Sequence, residues 1–267
     1  MAEAIQIKPG SKVRLRDIDP AATEGVKDKA AALEQLALDR LEMCDLQERL
    51  YAENKRALLV VLQAMDTGGK DGTVKSVLSG VNPTGVEIMS FKAPSEEERD
   101  HDFLWRVHFR VPRRGNIGIF NRSHYEDVLV ARVHGLVPPK VIEQRYDVIN
   151  RFEENLTSTG TTVLKFFLHI SKDEQKRRLE ERLADEEKIW KFDPNDLKER
   201  ALWNEYQEAY EIALSRCSTR SAPWYVVPAD RKWYRNTVVA RTIVDTLRAM
   251  DPRPAAATFD PSTIKIT

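Results

Sequence analysis

Leu58 to Thr73 reads LLVVLQAMDTGGKDGT, an apolar run that breaks into a glycine loop carrying one lysine and two aspartates. Leu58, Leu59, Val60, Val61 and Leu62 are apolar on both alternating faces, as in a central strand of a parallel sheet covered by helices on each side. In the loop, Gly68, Gly69 and Gly72 let the backbone turn tightly and aim several N–H groups inward. Thr73 to Leu78 opens an apolar-periodic helix whose N-terminus attracts anions. Lys70 sits in the same turn as a fixed positive charge, so the stretch reads as a phosphate cradle. The spacing from Ala64 to Lys70 is that of G-x-x-x-x-G-K-[ST], with Ala64 for the first glycine and Asp71 where a hydroxyl belongs. Two readings stand for Asp66: a turn former, or a metal-binding or catalytic group.

The chain of 267 residues, 42% of them hydrophobic, suffices for one large α/β domain with a real core. Its 42 Lys and Arg balance 42 Asp and Glu, so no global field draws in nucleic acid or a membrane, and any anion site must be local. Cys44 and Cys217 stand far apart without C-x-x-C or histidine clustering, which argues against a disulfide framework or a zinc site and fits a reducing compartment. The N-terminus lacks an apolar signal core and no window approaches the roughly 18 apolar residues of a membrane span. A cytoplasmic location is expected.

Residues 1–25 read as an extended arm, lying over the domain or reaching a neighbouring subunit. Residues 26–54 form a long helix, with Leu33, Leu36, Ala37, Cys44 and Tyr51 near one face. Val86 to Phe91 is a second strand. Ser95 and Glu98 form a capping box that starts a helix through Val111, in which His101, Trp105 and His108 are packing or surface groups without a role. Asn116 to Phe120 is a third strand running into NRSHYEDVLVARV, whose polar groups crowd the strand's carboxyl end, where open α/β sheets bind ligands. A helix at 141–158, strands at 162–170 and 224–228, and a helix at 233–250 complete a three-layer α/β/α sandwich with a parallel five-stranded sheet and the loop strand at its centre. The domain spans 26–250, and the proline-bearing tail 251–267 reads as loose. A charged helical insertion at 172–219, broken at 188–195 with Asp193-Pro194 as an N-cap signal, carries Arg178 and Arg182 on one face. It reads either as solvated helix with Glu174–Arg178 pairing or as a lid closing arginines over a transferring phosphoryl group.

Together these pieces resemble the polyphosphate kinase 2 family, which moves phosphate between inorganic polyphosphate and nucleotides. The resemblance rests on QAMDTGGKDGT (63–73), NPTGVEIMSFKAPS (82–95), FNRSHYEDVLVARV (120–133), KFFLHISKDEQKRRLEERL (165–183), KIWKF (188–192) and STRSAPWYVVPADRKWYRN (218–236). It implies a P-loop kinase-like fold with a helical lid, and a catalytic set of Asp66, Lys70 and Arg122 with lid arginines Arg178 and Arg182. Gly68, Gly69, Lys70, Asp71, Gly72 and Thr73 would cradle phosphates, with Lys188, Lys191, Lys232 and Arg235 as the lining for a polyanion. Asn121, Arg122, Glu126, Asp127 and Arg132 fall on the nucleotide-acceptor side, and Asp66, Glu126 and Asp127 are the candidate ligands of Mg²⁺. Many members carry an aspartate at the position of Asn121; this variant resembles the class III branch, which accepts mono- and diphosphates. AMP to ADP and ADP to ATP are therefore the expected transfers, Mg²⁺-dependent and reversible, with guanine nucleotides as further acceptors left open. A homo-oligomer, dimer or tetramer, is implied as well. The alternatives are an ATP-dependent nucleotide or metabolite kinase on the same fold, and a non-catalytic P-loop nucleotide-binding module.

Overall fold

The computed structural model describes residues 3–260 and 263–265; the first and last residues of the arm and tail regions, 1–2, 261–262 and 266–267, lie outside it. A six-stranded sheet forms the centre, in the order β1-β6-β5-β2-β4-β3. Its strands are β1 (Ile5–Gln6), β2 (Ala57–Ala64), β3 (Val86–Ser90), β4 (Ile117–Asn121), β5 (Thr161–His169) and β6 (Trp224–Pro228). The five expected strands are present and parallel, with β2 at their centre; every residue of β2 is buried. The sixth, β1, adds antiparallel to the edge of β6, Ile5 opposite Val226. Two residues are too short a run for alternation to show in sequence.

The helices are α1 (Lys29–Glu53), α2 (Lys70–Val77), α3 (Glu96–Asp100), α4 (Trp105–His108), α5 (Val130–Val133), α6 (Pro139–Ser158), α7 (Lys172–Ala184), α8 (Asn195–Ala201), α9 (Trp203–Cys217) and α10 (Lys232–Met250). Because the chain steps one way from β2 to β3 and the other way through β4, β5 and β6, right-handed crossovers put α2 on one face and α5, α6 and α9 on the other. Helices α1 and α10 pack together and against α2, completing the first layer.

Two local expectations are corrected. The buried face of α1 is Ala32, Leu36, Met43, Leu46 and Leu50 together with Asp39 and Gln47, while Leu33, Ala37 and Tyr51 are exposed. Asp39 turns inward to pair with Arg241 of α10 at 2.8 Å, so the inward stripe is partly polar and apolar periodicity misplaces it. The helix expected through Val111 stops at Asp100, although its capping box on Ser95 forms. His101 is extended, and Asp102 accepts the Leu104 N–H at 3.0 Å to start a new turn. His101 stacks on Trp105, ring centroids 4.1 Å apart.

The arm crosses the domain rather than leaving it: the Ile7 N–H donates to Trp224 C=O, the Val13 N–H to Ser215 Oγ and the Leu15 N–H to Glu211. At the other end Pro252 is buried, and the Arg253 N–H reaches Glu53 at the end of α1. Among the described residues no helix is long and apolar enough to cross a membrane.

Candidate active site

At the carboxyl end of β2 the chain turns sharply. The Gly68 N–H donates to Met65 C=O, Thr67 takes φ 58° and Gly69 φ 97°. Helix α2 begins at Lys70, earlier than the expected Thr73, because Gly69 in its left-handed conformation serves as N-cap. Thr73 is buried, and its hydroxyl bonds the Gly69 carbonyl at 3.0 Å. Two glycines have no substitute. A Cβ on Gly68 would lie 2.4 Å from Ala64 Cβ, and one on Gly69 would lie 1.9 Å from Arg235 Nη1. Gly72, expected to shape the loop, instead lies inside α2, where a Cβ would make ordinary contact at 3.5 Å.

Lys70 Nζ donates to Ala64 C=O at 2.9 Å, and burial pulls its pKa below the usual lysine range. Arg235 comes from α10 and is 2% exposed; it donates to Gly68 C=O at 3.4 Å and to Asn236. Among the described residues no carboxylate lies within ion-pair distance of it, and burial lowers its pKa to about 9. Arg178 of α7 arrives from the other side, 5% exposed, donating to Thr67 C=O at 3.1 Å and paired with Glu174 at 2.6 Å. Arg178 makes the expected pair with Glu174, but buried over the loop rather than on a solvated helix face.

Strand β4 supplies the facing group. Arg122 follows it with φ 62°, its N–H on Leu62 C=O, and its guanidinium reaches Asp66 Oδ1 at 2.8 Å. Burial opposes its charge, but Glu126 and Asp66 outweigh that and raise its pKa. The turn is anchored underneath by a buried polar cluster that sequence reading missed. Lys165 of β5, fully buried, donates to Glu153, to Tyr125 Oη at 2.9 Å and to Cys217 C=O. Asn121 does not stand in for an acid; its amide donates to Asp71 Oδ1 at 2.5 Å and ties β4 to α2.

These groups line one cleft of about 1190 Å³, into which Asp66, Lys70, Asp71, Asn121, Arg122, Arg178, Arg182, Lys188, Lys191, Lys232 and Arg235 all face. The overhanging side runs from the end of α7 to α8, with Trp190 and Asp196; α9 instead packs on α5 and α6 and buries Trp203, Tyr206, Ala209 and Tyr210. Arg182 lies 3.5 Å from Asp196. Lys188 pairs with Asp185, Lys232 approaches Glu181 at 3.9 Å, and Lys191 lies over the Trp190 ring. Nine cations and five carboxylates line the cleft, against an even balance in the whole chain. A second cavity of about 270 Å³ adjoins it, sharing Asp66, Arg122 and Asp196 and lined by Glu126, Leu129, Tyr206 and Tyr210.

Two expected site residues point elsewhere. Asp127 turns to α6, where Arg145 bonds its carbonyl at 2.8 Å and stands 3.4 Å from its carboxylate; burial raises its pKa to about 6. Arg132 pairs with Glu143 and Glu208 on a separate surface groove. Both lie within NRSHYEDVLVARV, but a short 3₁₀ turn at His124–Asp127 followed by α5 fans that segment out, so neighbours in sequence face different sides. Gln175 was not anticipated: its amide donates to Asp66 C=O at 2.9 Å, one turn before Arg178 on the same helical face. That spacing was its signal. Among the described residues no three His, Cys, Asp or Glu side chains converge to hold a metal by themselves.

Known proteins resemble this chain over most of its length. An AMP/ADP-polyphosphate phosphotransferase from Meiothermus ruber is 53% identical over 256 residues, covering 94% of this chain and 96% of the relative. An ADP-polyphosphate phosphotransferase from Rhodopseudomonas palustris is 45% identical over 224 residues, 78% of this chain and 76% of its own. The crystal structure of Polyphosphate Kinase 2 from Arthrobacter aurescens TC1 superposes with a TM-score of 0.92 at 44% identity, covering 98% of this chain and 97% of the other. The Polyphosphate kinase 2 (PPK2) family model matches residues 26–255, from the start of the first long helix to past the last, and with it the loop, the cleft and the overhanging helices, so the chain belongs to the polyphosphate kinase 2 family.

Proposed function

We propose that this protein transfers the terminal phosphate of inorganic polyphosphate to AMP and ADP. The observation that carries the reading is the pair of buried cations at the loop, Lys70 and Arg235, the second with no carboxylate within ion-pair distance among the described residues. Burying such charges is unfavourable unless an anion joins them, and an entering phosphate chain offsets both. The relatives' names supply the donor and acceptors.

An ionised oxygen on the acceptor's terminal phosphate attacks the end phosphorus of the chain in line. The new P–O bond forms as the bridging P–O bond breaks, and the shortened chain leaves with the electron pair. No strong base is needed, so orientation and charge neutralisation supply most of the rate. The loop amides and Lys70 hold the donor, Arg122 faces the transferring group, and Arg178 and Arg182 close over it. Asp66 holds Arg122 in place. A divalent ion, Mg²⁺ in this reading, fits Asp66 with phosphate oxygens as its other ligands, since Mg²⁺ is bound by one or two carboxylates plus substrate phosphates. When bound it neutralises phosphate charge. Glu126, which lines the adjoining cavity together with Asp66, would be the other candidate ligand of the expected set. Because one phosphoanhydride replaces another, the transfer is reversible in this reading. Exposed Leu33, Leu38 and Leu41 on α1 support the homo-oligomer, and two free cysteines, one of them buried, support a cytoplasmic location.

The test mixes protein, Mg²⁺ and long-chain polyphosphate with AMP or ADP as sole acceptor and follows ADP and ATP by chromatography. ATP is expected from ADP, and both ADP and ATP from AMP. Lys70→Ala and Asp66→Asn are expected to lose all but roughly a hundredth of the turnover while staying folded. Near-wild-type rates in both would remove the site assignment; turnover with ATP alone as donor would remove polyphosphate.

A further inference from the structure

Asp230 has no part in the chemistry above, yet it closes a ring of contacts around the loop. It stands just past β6, and its carboxylate takes both donors of Ser171: the backbone N–H to Oδ1 at 2.8 Å and the hydroxyl to Oδ2 at 2.8 Å. Ser171 is the N-cap of α7, its Oγ accepting the Glu174 N–H at 3.0 Å. The carboxylate therefore sits at a helix N-terminus whose cap it holds from outside, where both charge and hydrogen bonding favour it. Helix α7 carries the two side chains that grip the loop, Gln175 on Asp66 C=O and Arg178 on Thr67 C=O. Arg178 then returns to the strand end, donating to Ala229 C=O at 2.6 Å and Asp230 C=O at 3.3 Å.

The ring is braced from the arm. The Asp230 N–H donates to Pro20 C=O at 3.1 Å, the Ala229 N–H to His169 C=O at 2.8 Å, and the His169 ring lies 3.2 Å from Ile18 C=O. Ser171 and Asp230 thus join the base of α7 to the end of β6 at the point where α7 must hold its angle to the loop.

We propose that Asp230 is a positioning residue for phosphoryl transfer: by holding both donors of the α7 cap it keeps Gln175 and Arg178 seated on residues 66–67. The inference rests on the reading of Arg178 as a cation of the phosphate site. Among the described residues, the hydrogen bonds from α7 to residues 66–67 are made by the side chains of Gln175 and Arg178, so a small rotation about its N-terminus moves a guanidinium by about an ångström, enough to cost on the order of a hundredfold in rate.

The experiment compares Asp230→Ala, Asp230→Asn, Ser171→Ala, the Asp230→Ala/Ser171→Ala pair and Arg178→Ala with the full chain. It reads kcat, KM for ADP and for polyphosphate, the thermal midpoint, and amide exchange over 172–178. Asp230→Ala is expected to lower kcat by about 10- to 100-fold with KM for ADP within about twofold, and to raise exchange at the start of α7. Asp230→Asn keeps an acceptor for the Ser171 N–H and should recover to within about fivefold of wild type. Ser171→Ala should lower kcat by less in the Asp230→Ala background than alone, since there it removes only the cap bond to the Glu174 N–H. A kcat for Asp230→Ala within twofold of wild type, or a lowered midpoint with kcat intact, overturns the proposal. If Asp230→Ala does not fold, Asp230→Asn decides: recovery of kcat supports the proposal and its absence overturns it. Arg178→Ala separates the two claims, since full activity there fails the site reading, whereas loss there with an active Asp230→Ala fails only the joint.

Discussion

Arg235 carries a buried charge with no carboxylate within ion-pair distance among the described residues. Its guanidinium lies under Gly69, bonded to a carbonyl and an amide, with its pKa drawn down to about 9 by burial. Removing the charge while keeping the stem should relieve the folded state, because an apolar side chain in place of a buried ion is often neutral or stabilising. Arg235→Met is expected to raise stability by about 1–3 kcal/mol in urea unfolding without ligand, and to lower polyphosphate turnover by roughly a hundredfold. A fall in both would make it a structural cation instead. Asp127 gives a contrasting case. Its folded pKa of about 6 exceeds the unfolded value of 3.8, so the native state binds the extra proton between those values. The stability it contributes is full below pH ~4 and is lost as pH rises through about 6, by at most about 3 kcal/mol. Asp127→Asn lacks this dependence, so wild type should lose stability relative to the variant between pH 4 and 7 in parallel urea titrations; a constant difference would deny the shift. Asp66 and Lys70 stood out in sequence because the turn after β2 carries both, whereas Arg122 entered only through the family resemblance. The depth of Arg235 and the aim of Asp127 were not legible, since both depend on elements distant in sequence.

Among the elements, β2, β4, β5 and β6 were readable to within a residue or two because runs buried on both faces are mostly apolar, even with Lys165 inside β5. Helix α1 was readable as a helix but not in its orientation, which Asp39 and Arg241 decide across a helix pair. The arm was ambiguous in sequence because its apolar residues show no period; Ile7, Val13 and Leu15 are buried, and their backbone N–H groups bond β6 and α9. Leu15 is 1% exposed, and its N–H is held by Glu211 of α9. If the arm belongs to the fold, Leu15→Ala should cost about 2–4 kcal/mol, seen as a lower urea midpoint at unchanged slope. A change under about 0.5 kcal/mol would mean that the arm is an appendage and that its brace on Asp230 is dispensable.

At the scale of the molecule, the even charge balance conceals a local excess of four cations in one cleft. Several of these are internally paired: Arg122 with Asp66, Arg182 with Asp196, Lys188 with Asp185. A polyanion therefore meets a field that is concentrated and short-ranged, since at physiological salt the screening length is about 8 Å. Each phosphate that replaces counterions with a protein cation adds to the salt dependence of binding, by about 0.7 in log–log slope for a flexible strand. Polyphosphate binding should accordingly weaken with salt with a slope of roughly −3, measured by titration between 50 and 300 mM KCl. Lys191→Ala should flatten the slope by about 0.7, and Arg132→Ala, whose side chain faces a separate groove, should leave it unchanged. A flat dependence would mean that the loop holds the chain end alone and the overhanging lysines do not touch it. A slope steeper than about −6 would require cations beyond this cleft, and the phosphate track would then extend over a surface that the net-acidic remainder of the chain does not favour.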